Sequence, residues 1–434
     1  MHNVKDFGAA GNGIANDTAA IQKAIDAGGM VYIPGGTYII GTLYLKSNGG
    51  LHLAPDAVLR ASHNRADYNA DDYCPQNQVF SSENVTGAHM ISAVEQENIV
   101  ISGTGQFDGD AFFWMREKSE NTPAWKPNPE RPGQMFHLCE CKNVRISGVH
   151  LNNGSYWHLF LHGCEEVWIS GLRITGDPLM ATNDGIDIDC CSNVIIRDCI
   201  IHTGDDAITV RGNSRSLKNK RPCEHIIVSS CILSSYNDNA IRIGVGGGII
   251  RNCIFDNVII AASRTGICLI SRFGENSPGV CIEDVSFQNM KIEAHRLFNV
   301  KLMNVEGQKP LQEFRWIRNV SFTHITGTGD LTSNILGDES GSISGLRFND
   351  IEFACGGIGE RPYWSPEGMW GYDSKDCAFR IKCATHITLD NVRLRWLTDH
   401  PGWKYDLAIE NSSAVSVKNC NFPKGICSNN GPQL

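Results

Sequence analysis

VRISGVHL, at residues 144–151, decides the fold because near-copies of it recur along the chain. Apolar and polar residues largely alternate in this octet, which is the pattern of a half-buried strand. Further copies are VWISGLRI (167–174), VIIRDCII (194–201), IIVSSCIL (226–233), GIIRNCIF (248–255), VCIEDVSF (280–287), RWIRNVSF (315–322), GSISGLRF (341–348), ITLDNVRL (387–394) and VSVKNCNF (415–422). A strand that returns at such regular intervals is typical of one coil of a solenoid.

The segments between the octets have room for two or three short strands and show no ten-residue helical pattern. Leucine-rich and armadillo-type repeats need signatures that this sequence lacks, so the repeats predict an all-β parallel β-helix, as one domain over residues 1–434. Cys199, Cys231 and Cys253 share the sixth octet position, and Val285 and Val320 occupy it in the next copies. We expect these residues to stack as a ladder in the core, with the thiols buried and reduced.

Three other segments complete the predicted architecture. NDTAAIQKAIDAG, at 16–28, has a capping Asn or Asp, apolar residues at helical spacing and a terminal Gly, so it predicts an amphipathic helix that caps the solenoid. Residues 112–132 and 356–376 interrupt the repeat and are rich in Trp, Pro and Gly. Long excursions of this kind often form binding walls, so we expect two loop insertions that turn an open groove into a pocket.

Composition excludes several classes of function. The net charge of −9 disfavours a nucleic-acid partner, because phosphate backbones are bound mainly by clustered Lys and Arg. No apolar stretch reaches the roughly 18 residues needed to cross a membrane, so no membrane partner is expected. The first residues lack the pattern of a secretion signal, which predicts a cytoplasmic chain or a mature form whose signal has been removed. The 17 cysteines show no CxxC spacing, which argues against a zinc pattern.

Five aspartates are concentrated in two short stretches, TNDGIDID (182–189) and GDDAITV (204–210). Asp187 and Asp189 share one face of a strand, and Asp184 lies at the turn before it. The offset from Asp184 to Asp205 is close to the length of one coil, so we expect Asp184, Asp205 and Asp206 to crowd one patch. Crowded carboxylates either bind a hard cation such as calcium or act as general acid and general base.

The sequence resembles the polygalacturonase-like enzymes of glycoside hydrolase family 28. The resemblance runs in order through FGAAGNGIANDTAAIQKAIDA (7–27), GGTYIIGTLYLKSNGGLHLAPDAVL (35–59), NGSYWHLFLHGCEEVWISGLRI (153–174) and the two acidic stretches. It implies a right-handed parallel β-helix that hydrolyses α-glycosidic bonds of pectic polysaccharides with inversion, without metal or cofactor. It also implies that Asp205 is the general acid and that Asp184 and Asp206 position the nucleophilic water.

The chain departs from the family pattern where the substrate is held. Asp238 stands in YNDNAIRIG (236–244) where the family has a His, and Cys268 and Ile270 stand in place of an Arg-x-Lys pair that grips the uronate carboxylate. The substrate is then a neutral or differently placed sugar, such as α-linked galactose or rhamnose, or else Arg242, Arg264 or Arg272 replaces the missing cations. An exo-acting enzyme is expected rather than a typical endo-polygalacturonase.

The remaining predicted substrate contacts are Asp238, Arg242, Arg272, Trp157 and Asn183, with Trp157 stacking on a sugar face. His158 and His162 have a metal-binding spacing only on a helix, and a strand is expected here, so no metal ligands are predicted. Two other functions remain as alternatives. One is a uronate lyase or epimerase, and the other is a non-catalytic carbohydrate-binding solenoid.

Overall fold

The structure is a computed structural model that describes residues 1–118, 124–274, 277–303, 313–338, 340, 342–357, 376–398 and 402–429. The chain divides into two compact units. The first contains Met1–Ile208 and Ser214–Arg221, and the second contains Thr209–Asn213 and Pro222–Leu434. Each unit is described by itself.

Short strands make up most of the first unit. They are β1 His2–Asn3, β2 Asn12–Asn16, β3 Met30–Ile33, β4 Gly36–Ile40, β5 Leu43–Tyr44, β6 Gly49–Leu53, β7 Ala57–Ala61, β8 Ile91–Val94, β9 Glu97–Gly103, β10 Gln106–Asp108, β11 Met115–Lys118, β12 Trp125–Pro127, β13 Phe136–Cys139, β14 Lys142–Ser147, β15 His150–Asn152, β16 Leu159–His162, β17 Glu165–Ser170, β18 Arg173–Thr175, β19 Ile186–Asp189, β20 Ser192–Arg197 and β21 Ile200–Thr203. One α-helix, α1 Thr18–Asp26, and the 3-10 turns Val4–Phe7, Arg65–Asp67, Ser81–Glu83 and Ala111–Trp114 complete it.

The repeated octets of the first unit stack in register. Val144 pairs in parallel with Val167, and Val167 pairs with Val194, so each octet lies on its equivalent in the next coil. All three valines are fully buried, because alternate residues of each strand face the narrow core. Asparagine side chains reinforce the turns: Asn143 Nδ2 donates to Asn98 Oδ1 at 2.7 Å, one coil away.

The second unit contains short strands and also long strands that bend through several faces of a coil, and its first strand begins at Ile208, the last residue before the boundary. They are β22 Ile208–Gly212, β23 Cys223–Ser229, β24 Ile232–Ser235, β25 Asn239–Gly246, β26 Ile249–Arg272, β27 Cys281–Met303, β28 Ile317–Gly329, β29 Ser333–Leu336, β30 Ile343–Cys355, β31 Cys377–Lys382, β32 Ala384–Trp396, β33 Tyr405–Glu410, β34 Ser413–Lys418 and β35 Ile426–Ser428. Within β26 the register shifts between Ile260 and Ser263, where the strand turns a corner.

A ladder of stacked rings marks the core of the second unit. Phe255, Phe287, Phe322 and Phe348 follow one another with ring centroids 5.0, 5.2 and 4.6 Å apart and nearly parallel planes. This spacing is close to the ~4.8 Å between neighbouring strands, as expected for equivalent side chains of successive coils. The prediction of an all-β parallel β-helix is confirmed.

The predicted N-terminal helix is confirmed as α1, with Ile21, Ala24 and Ile25 on its buried face. It packs against β3 and β5. Its start differs from the prediction in one detail: the Asp17 carboxylate makes no cap to the helix but accepts from the backbone N–H groups of Ala10 and Gly11. The helix ends as predicted before Gly28, whose φ of 85° is a left-handed conformation that glycine adopts without strain.

The predicted cysteine ladder is wrong as a single stack, because Cys253, Val285 and Val320 align with Ile226. Cys253 pairs with Ile226, not with Cys231, although it does stack on Val285, which in turn pairs with Val320. The coil from β23 to β26 is therefore longer than the separation between the two octets as we aligned them. All 17 cysteines lie within the described residues, and none of them is joined in a disulfide there.

The two predicted insertions are described unequally. Within residues 112–132, β11 and β12 pair as antiparallel strands. Most of the second insertion lies outside the described residues, which omit 358–375. Among the described residues, no helix has the length and apolarity needed to span a membrane.

Candidate active site

The turns that carry Asp184 and the pair Asp205–Asp206 are in contact in the first unit. The backbone N–H of Gly185 donates to the carbonyl of Asp206 at 2.9 Å, so the two turns are neighbours in adjacent coils. One carboxylate oxygen of each of Asp184, Asp205 and Asp206 lies within 4.8 Å of the others. Asp184 and Asp206 are 4% and 1% exposed, whereas Asp205 is only partly buried. The structure thus brings together the three acids that the sequence singles out.

Two glycines make this close approach possible. A Cβ at Gly185 would lie 2.4 Å from the carbonyl oxygen of Ala207, and one at Gly204 would lie 2.4 Å from the carbonyl oxygen of Met180. Both distances are far below van der Waals contact, and in both cases the atom that would clash belongs to the backbone. The acids therefore depend on the glycines beside them for their spacing.

Asn183 ties the two turns together instead of reaching toward a substrate. Its side chain is fully buried, with Oδ1 accepting from the N–H groups of Gly204 at 2.7 Å and Asp205 at 3.1 Å. Its Nδ2 donates to the carbonyl of Asp177 at 2.8 Å. The predicted substrate contact of Asn183 is corrected by this geometry, because both the oxygen and the nitrogen of the amide are engaged in holding the loop.

Replacing Asn183 by Ala is expected to destabilise the protein by about 2 to 4 kcal/mol, because two buried N–H groups lose their acceptor. The matched control is Asn12→Ala. Asn12 Oδ1 also accepts from two backbone N–H groups, those of Ile14 and Ala15, but at an exposed position where water replaces it. Urea unfolding followed by circular dichroism measures both variants. Equal losses would contradict the assignment of the buried clamp.

His158 is a second positioning residue, buried beneath the Asp184 turn. Its Nδ1 donates to the carbonyl of Asp184 at 2.8 Å, and its Nε2 accepts from the N–H of Gly154 at 3.1 Å. Burial lowers the pKa of His158 to about 4, so the ring is neutral at physiological pH. His158 thus holds the backbone carbonyl of Asp184, while the carboxylate of Asp184 takes part in the acid cluster.

The other two aspartates of the acidic stretch lie on the strand that follows the Asp184 turn. Asp187 and Asp189 are buried on β19, where they align with Phe160 and His162 of the preceding coil. Asp187 and Asp189 thus belong to strand β19, whereas Asp184 belongs to the cluster at the turns.

The predicted stacking of Trp157 on a sugar is also corrected. Trp157 is 4% exposed and packs in a cluster with Val85, Tyr156 and Phe160, against which Phe80 also lies. Its ring is 4.9 Å from that of Tyr156, with the planes nearly parallel. The aromatic faces are used in the protein interior because residues 80–85 cover this side of the strand.

Strand β12 of the first insertion is attached to the loop that precedes Asp184. The backbone N–H of Trp125 donates to the carbonyl of Leu179 at 3.0 Å, and its indole Nε1 donates to the Asp177 carboxylate at 3.3 Å. Asp177 is also the residue to which Asn183 is anchored. The predicted wall therefore has a fixed attachment to the loop that precedes Asp184, and sequence reasoning missed Trp125 as the residue that makes it.

A small basic cavity lies in the second unit. It is lined by Asp238, Asn239, Arg242, Arg264, Thr265, Cys268, Ile270, Phe273, Arg296 and Asn299. Three arginines thus face one aspartate among these residues. The free volume is about 20 Å³, enough for one water molecule or one carboxylate oxygen but not for a sugar ring.

The register of the strands explains where these cations come from. Cys268 and Ile270, the apolar residues at the expected cation positions, are buried. Arg242 pairs with Cys268 from the coil before, and Lys301 pairs with Ile270 from the coil after. Cations therefore occupy the same ladder positions one coil to either side.

Lys301 and Arg296 are residues that sequence reasoning missed. A signal was present, since HRLFNVKLM (295–303) places two cations in an apolar strand and both are almost fully buried. Of the other predicted contacts, Arg242 and Asp238 line the cavity, whereas Arg272 is not among its lining residues and aligns with Met303 at the end of β26.

A sequence model described as "Glycosyl hydrolases family 28" matches residues 74–360, which is more than half of the chain. The chain belongs to glycosyl hydrolase family 28. The matched region includes both acidic stretches and all the residues that line the basic cavity. The polygalacturonase-like resemblance of the sequence is confirmed.

Individual family 28 relatives are distant. A probable polygalacturonase of Arabidopsis thaliana is 28% identical over 49% of this chain and 43% of its own length. A probable polygalacturonase of Vitis vinifera is 24% identical over 66% of this chain and 60% of its own. The chain thus spans less than two thirds of either relative.

The fold has a family 28 counterpart among solved structures. The family 28 exopolygalacturonase of Yersinia enterocolitica is 19% identical, with a TM-score of 0.73 over 95% of this chain and 78% of that one. At this identity the similarity establishes the fold.

Proposed function

We propose that the protein is an inverting glycoside hydrolase that removes an α-linked uronic acid from the end of a pectic oligosaccharide. The observation that carries the proposal is the cluster of Asp184, Asp205 and Asp206, with one oxygen of each within 4.8 Å. Three carboxylates this close repel one another when all are ionised, so the cluster favours keeping one proton among them. A site with one protonated and one ionised carboxyl group has what glycoside hydrolysis requires.

Exposure supports the roles that we propose within the cluster. Asp205 is the least buried of the three acids and is best placed to reach a glycosidic oxygen, so it donates the proton to the leaving group. Asp184 and Asp206 accept the proton of a water whose oxygen bonds to the anomeric carbon from the opposite face. The bond between that carbon and the leaving oxygen breaks, and the cluster exchanges protons with solvent before the next turnover.

The spacing of the acids bears on the stereochemistry. Acid and base are usually ~6.5–9.5 Å apart in inverting glycosidases and ~5–5.5 Å apart in retaining ones. The oxygens here are closer than the inverting range. However, a water with hydrogen bonds of ~2.8 Å bridges two acceptors up to about 5.5 Å apart, so Asp184 and Asp206 can hold one water between them. The capacity of Asp184 and Asp206 to hold a water in this way is the reason to propose inversion.

Two further observations support an acidic sugar and action at a chain end. The basic cavity offers Arg242, Arg264 and Arg296 to a carboxylate, and charged hydrogen bonds of this kind are among the stronger ones in proteins. The two relatives named above are described as probable polygalacturonases, and the structural counterpart as an exopolygalacturonase. The attached strand β12 narrows access to the loop before Asp184, as a chain-end pocket requires.

Product analysis tests the proposal. Oligogalacturonides and polygalacturonate are incubated with the enzyme, with and without chelator, and the first anomer released is recorded by NMR. We expect single uronic acids of inverted configuration at an unchanged rate when chelator is present. A retained anomer would overturn the mechanism, early fragments of medium length would overturn chain-end action, and an unsaturated product absorbing in the ultraviolet would establish the lyase alternative.

A further inference from the structure

A second cluster of potential ligands lies in the first unit, in a part of the molecule that the proposed function does not use. His137 and Cys139 alternate on β13 and therefore share a face, and β16 places His162 opposite Cys139. One nitrogen of each imidazole and the Cys139 sulfur lie within 4.8 Å of one another. The distance from Cys139 Sγ to His162 Nδ1 is 4.0 Å. All three residues are buried, with exposures of 1% or less.

One imidazole nitrogen in this cluster is unexplained by the protein alone. His137 Nε2 is buried and has no hydrogen-bond partner among the described residues. A buried polar atom without a partner costs about 1–3 kcal/mol, so proteins rarely leave one without a reason. A ligand at this nitrogen would remove the cost.

The other nitrogen of His137 is held in a way that suits metal binding. Tyr73 Oη lies 2.7 Å from His137 Nδ1 and 2.9 Å from Ser92 Oγ. When Nδ1–H donates to Tyr73 and the Tyr73 hydroxyl donates to Ser92, the lone pair of Nε2 is left for a metal. Such outer partners commonly fix the tautomer of metal-binding histidines.

We propose that His137, Cys139 and His162 form a zinc site. Nitrogen and sulfur donors are what Zn²⁺ prefers, with bonds of ~2.0 Å to nitrogen and ~2.3 Å to sulfur. A tetrahedral ion then needs its S and N donors about 3.5 Å apart, so the Cys139–His162 pair closes by about half an ångström. Zinc binds the thiolate, and the thiol proton is released to solvent. A water molecule completes the fourth position.

The site was not expected from the sequence because its ligands come from two coils. The histidine pair with a regular spacing, His158 and His162, is separated in the structure, and His158 is engaged with Asp184 and Gly154. Cys139 and His162 are distant in the sequence and become neighbours only through the strand register. The ion would link two successive coils, which is a structural role.

Metal titration of untagged, chelator-treated protein tests the proposal. We expect one Zn²⁺ per chain, and Co²⁺ as a probe should show the near-ultraviolet absorption of a thiolate–cobalt bond. This absorption distinguishes the site from the carboxylate cluster of Asp184, Asp205 and Asp206, which has no thiolate. Cys139→Ser and His162→Ala should weaken zinc binding at least 100-fold. Cys231→Ala, a buried thiol of the second unit, should leave it unchanged.

A ligand variant that fails to fold does not end the test, because Tyr73→Phe keeps all three ligands. Loss of the Tyr73 hydroxyl should weaken zinc binding about 10- to 100-fold, as second partners of ligands do. The proposal is overturned if folded wild-type protein binds no zinc, or if Cys139→Ser and Tyr73→Phe both bind it as the wild type does.

Discussion

Asp205→Asn is expected to lower kcat for oligosaccharide hydrolysis by about three to five orders of magnitude, because the amide cannot donate the proton that the leaving oxygen needs. The change preserves size and the backbone contacts of the turn. The Asp205 carboxylate does accept from the N–H of Asp206 at 3.0 Å, and the amide oxygen of Asn can accept in the same way. The folded structure should therefore survive while the chemistry is lost.

The leaving group separates the acid role from a role in holding the turn. The nitrophenolate of a nitrophenyl glycoside can leave without being protonated, so Asp205→Asn should slow hydrolysis of this substrate far less than that of an oligosaccharide. Asp198→Asn is the matched control, since Asp198 is an exposed aspartate near Arg197 in the same unit. Equal losses on both substrates would contradict the acid role. Wild-type protein that binds the sugars but hydrolyses neither substrate would favour a non-catalytic carbohydrate-binding solenoid.

The fold could be predicted because its signal is repeated and local. Each octet needs only its own alternation to indicate a strand, and stacking follows from the period. The sequence predicts the register of a single coil less well than it predicts the strands, as the position of Cys253 shows. Residues 253–260, CIFDNVII, fit the octet as well as GIIRNCIF does, and the structure uses the former by pairing Cys253 with Ile226. Alternating apolar residues that continue past one octet leave such a choice to tertiary packing.

The sequence predicted the part of the candidate site that comes from two consecutive coils, but not the parts that come from more distant segments. Asp184 and Asp205 occupy turns that are one coil apart, so the period of the repeat was enough to place them together. Arg242 and Lys301 lie in coils that are not adjacent, and only the registers through β26 show that they flank the same ladder positions. The burial of Trp157 depends on a covering segment from residues 80–85, which no local pattern reveals.

The nature of the sugar is decided most directly at Arg242. Its guanidinium lies 4.2 Å from the centre of the Phe273 ring and lines the cavity together with Arg264 and Arg296. If this cavity binds a carboxylate of the substrate, Arg242→Gln removes a charge-assisted hydrogen bond worth about 1.5–3 kcal/mol. KM for an oligogalacturonide should then rise about 10- to 150-fold.

Methyl esterification provides the matched substrate, because it neutralises the carboxylate and leaves the sugar ring and linkage unchanged. Arg242→Gln should have little effect on the esterified oligosaccharide, while wild-type enzyme should prefer the free acid. Arg318→Gln is the control variant, since Arg318 is a half-exposed arginine of the same unit paired with Glu283 at 2.7 Å. A KM that is unchanged for the acid in Arg242→Gln would show that the cavity serves packing alone. In that case, the absence of cations at 268 and 270 would indicate that the substrate is a neutral sugar, such as galactose or rhamnose.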